Sequence, residues 1–246
     1  MTAPLPYTDD PRGPGGPADP LGPGAVASSA ARIRLAGAVR HVIDAVLTTE
    51  AADEELEAAA EAAEAMAVAL GGRHPSEGPP QGRRVHPVRA AADYVGRSPL
   101  IGPATPVSPP FTWEGGPDGV RAHGVFGAAY EGPPGYAHGG WIALAFDEVL
   151  GIANYASGRS SMTGSLEIRY RRPTPLHEAV EITGRVVRAS GRRSVVTGEL
   201  TVGGRVTAEA EGHFVAIDAE RRARYFGAEA DRQGHGPTDD EGSEDA

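Results

Sequence analysis

The stretch GYAHGGWIALAFDEVLGIA, residues 135–153, constrains the fold of this chain more than any other. Trp141 through Phe146, then Val149, Leu150 and Ile152, place apolar side chains around most of a helix. Such a helix must be covered on most of its circumference. The segments around it have a different period. GVRAHGVFGAAY (119–130) reads as a strand. TGSLEIRYRRP (163–173) alternates Leu166, Ile168 and Tyr170 against Glu167, Arg169 and Arg171. AVEITGRVVRA (179–189), SVVTGELTV (194–202) and RVTAEAEGHFVAI (205–217) continue the strand pattern. Ser190-Gly191 marks a turn, and Gly203-Gly204 is a two-residue hairpin signal. The order is a strand, one long helix over 139–156, then an antiparallel meander. Strands apolar on one face need a cover, and the single apolar helix supplies it. The expected fold class is α+β.

The helix carries an unexpected face. Gly140, Ala143, Asp147 and Gly151 fall on one side, and all but the acid are small. Ile142, Phe146, Val149 and Ala153 fall opposite and are expected to pack into the sheet. The small face predicts a close neighbour, which puts Asp147 against that neighbour more than against water. A carboxylate so placed is a candidate general base or nucleophile. Spacing alone equally allows a carboxylate that caps a neighbouring element or sits in water. Gly139 and Gly140 open the helix, where the first N–H groups have no internal acceptor and the helix dipole is positive. Without side chains there, a carbonyl oxygen can approach those donors, as in an oxyanion hole. A plain tight turn would use the same two glycines. Seven residues of helix separate Gly140 from Asp147 by about 10 Å. If both act on one carbonyl, the spacing points to two chains related by a twofold axis.

The pattern G-x-x-H-G-G followed by Asp nine residues after the His, a long helix, and S-L-x-I-x-Y-x-R-P resembles the PaaI-like hotdog-fold thioesterases of the 4-hydroxybenzoyl-CoA thioesterase superfamily. YEGPPGYAHGG is closest to members with Gly-Pro-Pro-Gly before the His-Gly-Gly. The resemblance covers residues 111–218. It implies a five- to six-stranded antiparallel sheet wrapped around the helix, and hydrolysis of acyl-coenzyme A thioesters at a dimer interface. On that pattern Asp147 matches the catalytic acid and Gly140 the N–H that polarises the thioester carbonyl. Thr163 matches a hydroxyl that helps hold the attacking water, and His138 the motif His. Gly139, Tyr170, Arg171 and Arg172 are the candidate substrate contacts. The two arginines are suited to coenzyme A phosphates, and equally to solvent. Some family members carry Asn six residues before the His; Gly132 stands there in this chain.

Composition narrows the remaining options. Cysteine is absent, so disulfides and thiolate sites are excluded. His123, His138, His177 and His213 lack metal-ligand spacing, and no metal or separate cofactor is expected, coenzyme A being part of the substrate. The net charge of −10 sits outside the core: residues 50–64 and 228–246 each hold seven acids. The core is neutral, with no basic stripe for nucleic acid. No signal peptide or membrane span is read in the sequence, which gives a cytoplasmic expectation. The expected organisation is a Pro/Gly-rich disordered tail (1–26), a helical hairpin extension (27–70) and a Pro-rich connector (71–110) extended on the surface. The thioesterase domain (111–227) and an acidic disordered tail (228–246) complete it. In the hairpin, Leu35, Val39, Val42, Ile43 and Val46 form an apolar stripe for packing on the domain or on a partner chain. Glu148 is expected to point away from Asp147 into an ion pair. The expected assembly is a homodimer or a dimer of dimers. Two other functions stay in view: a hotdog hydratase, and a non-catalytic acyl-CoA sensor, which would have no need of the acid at 147.

Overall fold

The computed structural model describes residues 29–71, 98–109, 111–159 and 161–217. The two expected disordered tails lie outside these residues, as does most of the connector. Ten elements follow in order. Helices α1 (Ala30–Thr48) and α2 (Asp53–Gly71) come first, then strands β1 (Thr112–Gly116) and β2 (Gly119–Val125) and a short 3-10 turn (Ala128–Tyr130). Helix α3 (Gly139–Ala156) follows, then β3 (Ser161–Tyr170), β4 (Ala179–Ser190), β5 (Arg193–Val202) and β6 (Arg205–Ala216).

The strands form one antiparallel sheet in the order β1-β2-β4-β5-β6-β3. This corrects the expected meander. Of the four strands after the helix, only β4, β5 and β6 run as consecutive neighbours; β3 crosses to the far edge and pairs with β6. A first strand, β1, also joins the sheet. The sequence reading passed over it because TWEGG has no apolar alternation. The β5–β6 hairpin turns where expected, with Gly203 and Gly204 at φ 55° and 74°. Both lie in the left-handed region that a two-residue hairpin of matching twist demands.

Helix α3 lies across the sheet and gives the hotdog arrangement. Ile142, Phe146, Val149 and Ala153 are buried against Val180, Ile182, Val196, Leu200, Ala208 and Phe214, as the opposite-face reading required. Each large side chain so buried contributes roughly 1.5–3 kcal/mol. The helix settles closely where a glycine of the sheet lies beneath it: a Cβ at Gly184 would stand 3.2 Å from the Val149 carbonyl oxygen. Among the described residues, no helix is long and apolar enough to cross a membrane.

Residues 98–109 correct the picture of a surface connector. Leu100, Ile101, Ser98 and Ser108 are buried, and Phe111 crosses β2 where Gly124 leaves room for its ring. Apolar residues between the prolines decide this: turns fold the segment back so that Leu100 accepts bonds from the Phe111 N–H and the Ser108 hydroxyl. The α1 stripe divides. Leu35, Val39 and Ile43 are half-covered and Ala36 is buried, whereas Val42 and Val46 stay exposed. Arg40 fastens α1 by donating to the carbonyls of Thr105 (2.8 Å) and Pro103 (3.3 Å). Helix α2 has no buried residue.

Candidate active site

The loop before α3 is tied down from both sides. The Gly135 N–H donates to Glu131 Oε1 at 2.6 Å, with Gly135 at φ 81°. The Ala137 N–H donates to the Thr174 carbonyl and the His138 N–H to the Tyr130 carbonyl, both at 2.8 Å. Rings of Phe111, Phe126, Tyr130 and Trp141 run in sequence with centroids 5.2, 5.9 and 4.9 Å apart, and they join this loop to the core. Burial, the largest influence, pushes the Tyr130 phenol up to about 12.

His138 is the N-cap residue of α3. Its Nδ1 accepts the Gly140 N–H at 3.0 Å. The N–H that the family pattern assigned to the thioester carbonyl is therefore already engaged. The Gly139 N–H, one residue earlier, has no acceptor among the described residues. Each glycine is where a neighbour needs the space. A Cβ at 140 would stand 3.0 Å from His138 Nδ1, and one at 139 would stand 3.3 Å from the Tyr170 hydroxyl. Gly132 backs the His138 ring: a Cβ there would lie 3.0 Å from His138 Cβ and closer still to its Cα. No side chain fits at 132 unless the loop moves.

Asp147 stands two turns further along α3. In the single chain it is exposed, not covered by a close neighbour. Among the described residues, its side chain is held by Thr163 of β3, whose hydroxyl donates to Asp147 Oδ1 at 2.8 Å. A β-bulge makes this contact possible. The register of β3 on β6 shifts between Thr163 and Ser165, which leaves Gly164 as the extra residue. Thr163 then pairs with Phe214, a buried residue on the helix side, and Ser165 with His213 on the outer side. Without the extra residue, the alternation running back from Ile168 and Leu166 would turn Thr163 away from α3.

Tyr170 closes β3, and its hydroxyl donates to the Gly139 carbonyl at 2.8 Å. Arg171 does not stand free for a phosphate: its guanidinium donates to Glu209 at 2.7 and 3.1 Å, which holds the Glu209 carboxyl below its usual range. Arg172 donates from Nη1 to the Val206 carbonyl at 3.0 Å. Glu148 lies on the inner side away from Asp147 and accepts from the Ser98 hydroxyl at 2.9 Å. The sequence reading missed Asn154. It is buried near the end of α3, where its Nδ2 donates to the Ser161 hydroxyl and its Oδ1 accepts from Ser194 at 2.6 Å. This residue fixes the start of β3 two positions before Thr163. A groove of about 920 Å³ runs over the outer face of the sheet, past Thr183, Thr197, Glu199 and Glu211, and none of the candidate residues lines it.

The thioesterase superfamily profile matches residues 134–209, which hold the His-Gly-Gly turn, α3 and most of the sheet. Among curated relatives, an acyl-coenzyme A thioesterase THEM4 of Xenopus laevis is 41% identical over 68 residues, 27% of this chain and 30% of that protein. The Mus musculus THEM4 is 31% identical over 97 residues, 39% of this chain and 42% of that protein. The chain thus spans less than half the length of these curated relatives. A crystal structure of a thioesterase superfamily protein superposes with a TM-score of 0.65 at 34% identity, over 76% of this chain and 92% of that one. Helix, turn, sheet order and likeness along nearly the whole of that structure agree: this chain belongs to the thioesterase superfamily.

Proposed function

We propose that this protein hydrolyses acyl-coenzyme A thioesters to a free acid and coenzyme A, in sites shared by the two chains of a homodimer. The observation that carries this reading is the Thr163–Asp147 hydrogen bond on the uncovered small-residue face of α3. It holds one carboxylate oxygen and leaves Oδ2, without a partner among the described residues, for a water or a thioester carbon. In the first route Asp147 Oδ2 takes a proton from water as that water attacks the carbonyl carbon. The oxygen of the tetrahedral intermediate gathers negative charge and is met by a backbone N–H at the start of α3. Collapse expels the coenzyme A thiolate, which is then protonated. In the second route Asp147 attacks directly, an acyl-aspartyl anhydride forms, and water cleaves it. Gly139 is the donor in this reading, because the Gly140 N–H is held by His138. Arg172, with donors to spare, is the better placed of the two arginines for a phosphate.

The geometry favours two chains. Eight residues of helix put about 12 Å between Gly139 and Asp147. A carbonyl held about 3 Å from a donor, attacked by a water about 3 Å from a base, spans roughly 7–8 Å from donor to base. Thr163 also draws the carboxylate sideways toward β3, not along the helix toward Gly139. Among the described residues, the small face of α3 and the outer edge of β3 lie together and uncovered, where a second copy can bring its own Gly139 to Asp147.

The test is a panel of acyl-coenzyme A esters from acetyl to palmitoyl, with aromatic ones, read by release of free thiol. Asp147→Asn is expected to bind the best ester with unchanged affinity and to lose about 100- to 10,000-fold in turnover. Binding without hydrolysis by the native protein would favour the sensor function. Undiminished turnover by a folded Asp147→Asn protein would remove the acid from the mechanism. Single turnover in ¹⁸O water tests the second route: label in Asp147 requires an anhydride opened at the aspartyl carbonyl, which the general-base route cannot give.

A further inference from the structure

One peptide unit at the start of α3 is gripped at both polar ends. The carbonyl of the Gly139–Gly140 peptide accepts from the Tyr170 hydroxyl at 2.8 Å, and its N–H donates to His138 Nδ1 at 3.0 Å. The two side chains come from different elements, β3 and the loop before α3. Two consecutive glycines are a poor way to begin a helix. Glycine favours helix less than alanine does, and a first turn frays because its donors lack internal partners. Here the glycines are what admit the grip. A side chain at 139 would meet the Tyr170 ring at 3.3–3.5 Å, and one at 140 would meet the His138 ring at 3.0–3.3 Å.

We propose that Tyr170 is a positioning residue for the hydrolysis. By holding the Gly139 carbonyl it fixes the backbone at Gly139, and so aims the preceding N–H at the thioester oxygen. This inference rests on the hydrolase reading above. It departs from the role of substrate contact that the family pattern suggests for Tyr170. The hydroxyl is committed to the backbone although the side chain is half-exposed, and it shares β3 with Thr163. One strand therefore sets both the carboxylate of its own helix and the donor at that helix's start. Partial burial raises the phenol above its ordinary value, which keeps its proton available for the carbonyl.

Tyr170→Phe removes only the donor. It is expected to lower kcat about 10-fold with KM changed less than two-fold, since a donor out of line forfeits part of the 100- to 1,000-fold that an oxyanion donor provides. Isotope-edited infrared spectra of a ¹³C-carbonyl acyl-coenzyme A bound to the Asp147→Asn protein report the polarisation directly. Adding Tyr170→Phe is expected to move that band back toward its position in free solution. Amide exchange at Gly140, measured without ligand, is expected to quicken about 10-fold as the first turn loosens. If Tyr170→Phe folds poorly, 3,5-difluorotyrosine at position 170 keeps the shape, and the loss of kcat at alkaline pH should then begin at lower pH. A raised KM with unchanged kcat would make Tyr170 a substrate contact and overturn the proposal. So would an unmoved carbonyl band, or Gly140 exchange unchanged in a folded Tyr170→Phe protein. Should the native protein hydrolyse no ester, the hydrolase reading fails, while the exchange measurement still decides whether the grip exists.

Discussion

Mixing two inactive chains is expected to restore half of the native activity. The first chain carries Asp147→Asn and keeps its donor; the second carries Gly139→Pro and keeps its acid. Proline is chosen because it deletes the N–H; its Cβ also crowds the Tyr170 contact, which belongs to the same donor and so to the same lesioned site. Gly139 is the first residue of α3, where proline is favoured. His138 before it has φ −65° and ψ 134°, the extended conformation that a following proline imposes. A Cβ at 139 meets the Tyr170 hydroxyl at 3.3 Å, a few tenths of an ångström too close, which the ring can absorb at an exposed strand end. Circular dichroism and melting should confirm that each chain folds. Each homodimer is then expected to be inactive, at least 100-fold below native. In the mixed dimer one site takes its donor from the first chain and its acid from the second, and is intact. The other site takes both lesions. With differently tagged chains, co-expression and sequential purification, turnover per dimer should be half the native value. The figure follows from the separation of about 12 Å along α3. If one chain supplied both groups, each site would keep one lesion and turnover would stay at the homodimer level. A folded mixed dimer at that level would refute the shared site.

Further outcomes follow from individual contacts. Thr163→Val should lower kcat about 10-fold and leave the melting temperature within a few degrees, because the hydroxyl it removes binds an exposed carboxylate. Deleting Gly164 should reproduce that loss by turning Thr163 to the outer face, and activity assays with Asp147-directed carbodiimide labelling would show whether the carboxylate has been released. Asn154→Leu fills the same volume but strands the buried Ser194 hydroxyl and the Ser161 hydroxyl. At about 1–3 kcal/mol per stranded group, urea unfolding should show a loss of about 2–6 kcal/mol. Tyr130 should make the protein sensitive to alkali. Its folded value of about 12 lies above the ordinary value of 10, so its contribution is complete below pH 10 and falls away as pH rises toward 12. Two units correspond to about 2.7 kcal/mol, and solvent near the hydroxyl reduces this to about 1–2 kcal/mol. Urea midpoints measured across that range should fall in the native protein and stay flatter in Tyr130→Phe.

Much of the fold was legible because its signals are local. The apolar density of residues 141–153 bounds α3, and the two left-handed glycines at 203 and 204 place the β5–β6 hairpin. Alternation along 166–170 gives the inward face of β3 correctly, with Ile168 opposite Ala210 and Tyr170 opposite Ala208. Alternation says which side a residue faces but not which strand lies alongside. The passage of β3 to the β6 edge is a long-range choice, made by how the sheet closes around α3, and no short window of sequence encodes it. The same limit hid the buried connector. Prolines exclude regular strand and helix from 98–109 but do not stop Leu100 and Ile101 from entering the core.

The candidate site divides along the same line. Residue types were readable: a lone acid on a small-residue face and glycines at a helix start, with the hydroxyl at 163 implied by the family resemblance. Their connections were not. A histidine is an uncommon N-cap, so nothing in the His-Gly-Gly run announced that Nδ1 would take the Gly140 N–H and leave Gly139 as the available donor. Asn154 sat just past the apolar run, and its partners Ser161 and Ser194 are 7 and 40 residues away. Gly164 was the one overlooked signal with a mechanism, since glycine inside a strand marks a bulge. Ile168 and Leu166 face α3; counted back without interruption, Gly164 would face it too and Thr163 would not. The extra residue reverses that phase, and Asn154 fixes the strand just before it. The hydroxyl reaches the carboxylate because a strand that would otherwise miss it is shifted by one residue, at the one position where it matters.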